Sequence, residues 1–267
     1  PIDIPISAEY MDRDAFDVTD RSGRVLASTI KWVGTSSLLV RKLWNIKLWI
    51  EALPIQGAPL IVDKFLHAVN PIVPPVLPKK VREIGRRMDH HVSLTVGDFG
   101  DGNMERLLDR LQNFATKHGQ DKLAIHECES AFEVSSLTAF RFAAAPAFRT
   151  WCVGEGAQGF SVDYALPKKG GAEPPLDESA AKPIKRMRYS HFGCNVVHED
   201  LAYGLDVDID KAKHELKDIV ENKCGGKLPA EHGHGTEYKA PPETQERWKK
   251  MDPLNALNPG IGGLSEK

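Results

Sequence analysis

No Cys-x-x-Cys pair occurs in the 267 residues; the four cysteines, Cys128, Cys152, Cys194 and Cys224, stand far apart. That spacing speaks against a disulfide framework or a structural zinc site and fits reduced thiols in a cytosolic setting. Long apolar runs are missing too. The longest uncharged stretch, Phe65–Pro78, holds 14 residues and four prolines. A spanning helix needs ~20 apolar residues, so no segment is expected to cross a bilayer. From Pro1 onward there is no charged region ahead of an apolar core. No signal peptide is expected, and the chain reads as a fragment or processed product. A Gly-x-Gly-x-x-Gly after a strand is absent, which leaves no Rossmann nucleotide site, and no internal repeat is visible. Charge of one sign is not in excess: 35 Lys+Arg against 37 Asp+Glu give net −2, which argues against nucleic acid as the main partner. A composition of 41% hydrophobic and 27% charged residues excludes collagen-like repeats and disfavours disorder. The length fits two domains of roughly 150 residues, or one large one.

What is there is an uneven distribution of charge. Between Arg21 and Met88 twelve Lys/Arg face three Asp/Glu, a balance of +9, and the remainder of the chain carries −11. Separation on this scale points to a basic segment that meets an anionic surface. Its clearest helix runs over Ser36–Leu53, where Leu39, Leu43, Ile46, Ile50 and Leu53 form one stripe at helical spacing. Val40, Trp44 and Leu48 lie off the stripe, with Arg41, Lys42 and Lys47 between them. A second apolar helix is expected over Leu60–Val69, ahead of the prolines. Two readings compete for this segment. The helices could be buried in a helical subdomain, or they could lie in a membrane interface, with Trp44 and Trp49 at headgroup depth and the cations on anionic lipid. The apolar excess together with the charge favours the interface.

The rest alternates. Ile4–Tyr10 reads as a strand, Met11–Ser22 as a helix, and His91–Val96 as a strand. Asn103–His118 and Glu129–Arg141 read as helices, Phe160–Leu166 and Met187–His198 as strands, and Asp210–Lys223 as a helix ended by Gly225-Gly226. Lys168–Lys182 and the turn-rich tail Pro229–Lys267 read as irregular. The expectation is an α+β fold, helices on one face of an antiparallel sheet.

Candidate chemistry gathers in the final third. His191 and His198 stand seven apart in Ser-His-Phe-Gly-Cys-Asn-Val-Val-His, so on one straight strand they face opposite ways and meet only if Gly193 bends it. Forty residues after His191, Pro229-Ala-Glu-His-Gly-His-Gly235 holds a carboxylate and two imidazoles. Two histidines and one glutamate make a three-ligand set for a divalent cation with open positions. A further histidine beside it could act as general base, since imidazoles ordinarily titrate near working pH. Structural or incidental histidines are the alternative. Gly97-Asp-Phe-Gly-Asp-Gly-Asn103 resembles a phosphate or metal loop in its letters, but it falls between a strand and a helix and is read as a turn.

Several blocks carry a family resemblance: Ala8-Glu-Tyr-Met-Asp-Arg-Asp14, Asp89-His-His91, Arg141-Phe-Ala-Ala-Ala145, Tyr189-Ser-His-Phe-Gly-Cys194, Pro229-Ala-Glu-His-Gly, Glu237-Tyr-Lys-Ala-Pro241 and Asp252-Pro with Leu257-Asn-Pro-Gly-Ile-Gly262. The chain resembles, along almost its whole length, the C-terminal portion of the membrane-associated, quinone-dependent D-lactate dehydrogenases, vanillyl-alcohol-oxidase-like flavoproteins. The resemblance implies that residues 1–28 and 89–226 form a cap domain and 29–88 a basic membrane-binding module. Residues 227–267 would return to an FAD-binding domain whose diphosphate-binding half is not in this chain. It implies FAD as cofactor, a divalent metal such as zinc or manganese, D-lactate or a related 2-hydroxyacid as substrate, and a quinone as acceptor. It also implies a peripheral position at the cytoplasmic face of the inner membrane. Related enzymes match His191, His198 and Glu231 as metal ligands and His232 as the base, while Arg141 sits where an arginine takes the substrate carboxylate. Glu231, Gly233, Asn258 and Gly260 fall where the family passes close to the flavin. One departure stands out: Asn195 comes one position early and Val196 occupies the family's Asn place. A non-catalytic membrane-docking or interaction fragment is the rival from another class.

Overall fold

The fold was obtained as a computed structural model that describes residues 5–34, 38–97, 99–100, 102–167, 174–176, 181–191, 196–229, 234–235 and 238–265. Strand β1 (Pro5–Asp12) runs straight into helix α1 (Arg13–Ser22). Asp12 makes the change possible, because its carboxylate accepts the Ala15 N–H at 2.8 Å and caps the first turn. The same carboxylate accepts from Arg188 N at 3.1 Å and Nε at 3.2 Å, so the junction is tied to a strand far along the chain. Four more helices follow, α2 (Arg24–Val33), α3 (Leu38–Glu51), α4 (Ala58–Val69) and α5 (Lys79–Arg87). Then come β2 (His90–Val96), α6 (Asn103–His118), α7 (Ala131–Phe142) and α8 (Ala144–Glu155). Strands β3 (Gln158–Ala165), β4 (Lys185–His191) and β5 (Val196–Tyr203) lead to α9 (Ile209–Asp218) and finally α10 (Pro242–Met251).

The five strands form one antiparallel sheet in the order β2-β1-β4-β5-β3. Alternation along β5 sends Leu201 and Tyr203 to one buried cluster and Ala202 to another. On the first face Phe160, Val162, Tyr164, Leu201 and Tyr203 pack against Ala212 and Leu216 of α9. On the second, Met11, Met187, Tyr189 and Ala202 meet Phe16 of α1, Phe140 of α7 and Phe148 and Trp151 of α8. The α+β expectation stands, with helices on both faces rather than one. Met187 is fully buried in the second cluster, where truncation to alanine costs about 2–5 kcal/mol.

The segment read as one strand over Met187–His198 is two. β4 and β5 are the arms of an antiparallel pair, with His191 opposite Val196 and Tyr189 opposite His198. The residues between the arms, including Gly193, lie outside the described set. Helix α9 continues into a π-helical turn over Ile219–Lys223 and stops at Gly225, as its glycines predicted. The turn-rich tail does contain a helix, α10, started by Pro242 at its first position.

Helices α2 and α5, absent from the sequence reading, hold the basic segment to the body. Asp20 of α1 receives Arg82 at 3.2 Å and Arg86 at 2.9 Å from α5. Gly85 of α5 is required by close packing, since a Cβ there would meet the Phe16 ring at 2.1 Å. Buried Asn70 closes the end of α4 onto α1 and α2, donating to Ser22 O at 2.8 Å and accepting from Val25 N at 2.9 Å. Buried Asp63 of α4 gathers Lys47 of α3 at 2.7 Å, together with Arg149 at 3.0 Å and Thr150 at 2.9 Å from α8. Helix α3 itself buries no residue. Leu39, Leu43, Trp44, Ile46, Leu48 and Trp49 are all exposed, which overturns the buried-subdomain reading.

Candidate substrate hollow on the sheet

Between α7 and the sheet, a hollow of about 550 Å³ opens over β1, β2, β4 and β5. Every second residue on a strand shares a face, so Ser7 and Glu9 of β1, Ser93 and Thr95 of β2, Tyr189 and His191 of β4 and His198 of β5 all line it. Arg141 comes down from α7. The antiparallel pairing places the two histidines together without any bend within a strand: their rings meet edge to face with centroids 5.3 Å apart. The Tyr189 ring stacks on His198 with centroids 5.5 Å apart, and the Arg141 guanidinium carbon lies over the same ring, 4.7 Å from its centroid.

Glu9 organises the cationic side of the hollow. Its Oε1 lies 2.7 Å from His191 Nδ1 and its Oε2 lies 3.2 Å from Arg141 Nη2. Arg141 Nε is buried and has no hydrogen-bond partner among the described residues. A buried donor left unpaired is costly, and a carboxylate from outside would satisfy it. Beneath the hollow, the Tyr189 hydroxyl donates to Asp200 Oδ2 at 3.1 Å. Burial pushes the Asp200 carboxyl up to about 7, against the lowering effect of hydrogen bonds from Ser161 and Tyr189. Burial, with Asp200 beside it, also pushes the Tyr189 phenol up, so Tyr189 stays a donor across ordinary pH.

Three of the residues singled out from sequence are therefore neighbours: Arg141, His191 and His198. Asn258 and Gly260 are elsewhere. Asn258 lines a second hollow of about 350 Å³ with Trp248, Met251, Leu257 and Leu264. Gly260 turns the chain there at φ 80° and donates its N–H to Ser265 O at 2.8 Å. Glu231, His232 and Gly233 lie outside the described residues. The Gly97–Asn103 segment leads into α6 through Gly102 at φ 71°, in keeping with a turn. Sequence reasoning missed Glu9, Tyr189 and Asp200. For Glu9 the available signal was the period-two placement of Ser7 and Glu9 on a strand.

Fold and hollow together define an α+β domain with a polar cleft on its sheet and an apolar, basic helical arm beside it. The chain belongs to the family described as "D-lactate dehydrogenase, membrane binding", whose model matches residues 1–267. It is 32% identical over 270 residues to the quinone-dependent D-lactate dehydrogenase of Corynebacterium glutamicum, covering 98% of this chain and 46% of that protein. The corresponding enzymes of Haemophilus influenzae and Escherichia coli are 29% and 27% identical, each over 275 residues and 99% of this chain. The chain spans about half the length of the curated relatives it matches.

Proposed function

We propose that this chain is the cap and membrane-binding part of a quinone-dependent D-lactate dehydrogenase. Residues 1–28 and 89–226 serve as the cap, 29–88 as the membrane module, and 227–267 as the return to the flavin domain. The observation that carries the substrate reading is Arg141, whose buried Nε lacks a hydrogen-bond partner among the described residues, in an open hollow beside two histidines. A guanidinium fork suits a carboxylate, and the stacked Tyr189 ring fixes its plane. Arg141 thus anchors and orients the carboxylate of D-lactate, and Glu9 holds the arginine in place.

FAD would supply the hydride acceptor for the alpha carbon, and a membrane quinone would be the final electron acceptor. The residues that suit its ring side are Asn258 and Gly260, on a tight turn beside an open apolar hollow, with Glu231 and Gly233 carried by the resemblance. Loss of a hydride from the alpha carbon requires the neighbouring hydroxyl to give up its proton to a group within hydrogen-bond reach. His232 takes that proton. His191, His198 and Glu231 would hold a divalent ion, zinc or manganese, which would supply Lewis acidity to the hydroxyl. The Glu9–His191 pair fits such a ligand, because metal-binding histidines commonly give their other ring nitrogen to a carboxylate.

Membrane docking rests on the arm. No helix among the described residues is long and apolar enough to cross a membrane, yet Trp32, Trp49, Phe65 and Ile72 are each more than 60% exposed. Apolar rings with exposed Arg41 and Lys42 suit the headgroup layer of an anionic, cytoplasm-facing leaflet. Lys47 does not take part, because it is held by Asp63 and Glu51. The test joins this chain to its flavin half and offers D- and L-lactate and larger D-2-hydroxyacids. Bleaching of the yellow colour by D-lactate first supports the proposal. Preference for a larger D-2-hydroxyacid moves the substrate, and a colourless, inert assembly refutes the enzyme reading.

A further inference from the structure

Away from the hollow, the connection from α6 to α7 brings together a different set of donors. His126, Cys128 and Glu133 each offer a ligand atom, and the three atoms lie within 4.8 Å of one another. Two features make this more than a chance of sequence. The His126 side chain is only 11% exposed, and both of its ring nitrogens are buried with no hydrogen-bond partner among the described residues. Nε2 stands 3.4 Å from Glu133 Oε2, at ion-pair distance. An imidazole shut off from water with both nitrogens unsatisfied is a group that lacks something.

Glu133, in turn, is held in place independently of any cation. It is the third residue of α7, and the helix start is capped in both directions: Ser130 Oγ accepts the Glu133 N–H at 3.3 Å and Glu133 Oε2 accepts the Glu129 N–H at 2.9 Å. A carboxylate that accepts one N–H keeps lone pairs for a second partner. Cys128 is a free thiol, half-buried between the two.

We propose that His126, Cys128 and Glu133 form a zinc site, distinct from the substrate hollow. One imidazole, one thiolate and one carboxylate suit a borderline-soft, tetrahedral ion and not magnesium or calcium, which take oxygen ligands. Metal–ligand lengths of about 2.0–2.3 Å set donor atoms of such a site roughly 3.2–3.8 Å apart. The His126–Glu133 separation of 3.4 Å already has that value, and the other pairs, all within 4.8 Å, need to close by at most about 1 Å. Thiolate and carboxylate together neutralise the ion's double charge, and a water completes the fourth position. Its effect is to pin the irregular Leu123–Glu129 connection onto the first turn of α7, the helix that carries Arg141.

The probe is the metal alone. The purified chain, stripped with chelator and reloaded, is expected to retain one zinc at this site. With cobalt in its place it is expected to give the near-ultraviolet charge-transfer band of a thiolate ligand. Cys128→Ser abolishes the band, and His126→Ala raises at least tenfold the cobalt concentration needed to fill it. Glu133→Gln keeps the helix cap but raises that concentration in the same way, which separates ligation from capping. Cys224→Ser leaves band and affinity unchanged. A cobalt spectrum with no thiolate band, or a band that survives Cys128→Ser, overturns the proposal. The unmutated protein's spectrum decides even where a variant folds poorly.

Discussion

Replacing Trp44 and Trp49 by serine tests the membrane arm with little risk to the fold, because neither ring is part of a core. They are 51% and 66% exposed, which leaves about 125 and 165 Å² of each indole open, taking roughly 250 Å² for a whole Trp side chain. At about 25 cal/mol per Å², full transfer to an apolar medium is worth roughly 3 and 4 kcal/mol. Rings at headgroup depth leave about half of that area wet, so each is worth about 1.5–2 kcal/mol. Together they come to about 3–4 kcal/mol, or roughly 10²–10³-fold in partitioning. Co-sedimentation with vesicles across a lipid titration measures this directly. The double variant is expected to need at least a hundredfold more lipid for half-binding, and Trp44→Ser alone about tenfold more. Phe114→Ser removes an exposed ring of α6, away from the arm, and is expected to change nothing. Equal binding by Trp44→Ser/Trp49→Ser and the unmutated chain would falsify the reasoning.

Electrostatics adds a second component: Arg41→Gln with Lys42→Gln should weaken binding to anionic vesicles by about 1 kcal/mol per charge, while neutral vesicles and high salt remove the difference; no salt dependence sinks this part. Arg141→Lys keeps the charge and loses the fork, so in the flavin-complemented enzyme the KM for D-lactate should rise roughly 10–100-fold with kcat less affected; an unchanged KM removes Arg141 from the carboxylate. The Asp200 carboxyl, raised from 3.8 to about 7 in the fold, holds its proton more tightly folded than unfolded. Its contribution to stability is therefore complete below about pH 4 and lost as pH rises towards 7. Asp200→Asn should abolish a loss of order a few kcal/mol across that window in chemical denaturation, and parallel pH profiles would contradict it. His191→Ala and Glu231→Ala should each strip a divalent ion from the complemented enzyme, read by elemental analysis; metal content unaffected by either refutes that ligand set.

Strong periodicity was legible, and the bounds of α6 and the end of α4 follow it to the residue. Helix α2, which buries only Ala27, was not read from the sequence. Helix α5 was hidden by Gly85, whose missing side chain is demanded by Phe16, a residue about seventy positions earlier. The β4–β5 pair read as one strand because Val196 and Val197 continue the β-forming run past Gly193, and nothing local marks the reversal. The same reversal is what joins His191 to His198 on one face, so the hollow could be named from sequence but not built. Glu9 and Asp200 act through residues about 180 and 11 positions away, and contacts of that kind exist only once the register is set. The exposed arm, by contrast, was legible as an apolar excess that no single stripe could bury.

The proton acceptor decides the central proposal. In the chain joined to its flavin half, the rate of flavin reduction by D-lactate is compared for the unmutated enzyme, His232→Ala and His234→Ala. The His234 ring rests edge-on against Trp248 with centroids 5.8 Å apart, a packing role that alanine disturbs little. The account predicts a loss of roughly 10²–10⁴-fold for His232→Ala, the usual worth of a positioned base, with FAD still bound and His234→Ala close to the unmutated rate. Equal losses from the two substitutions, a larger loss from His234→Ala, or a flavin that D-lactate never reduces would contradict it.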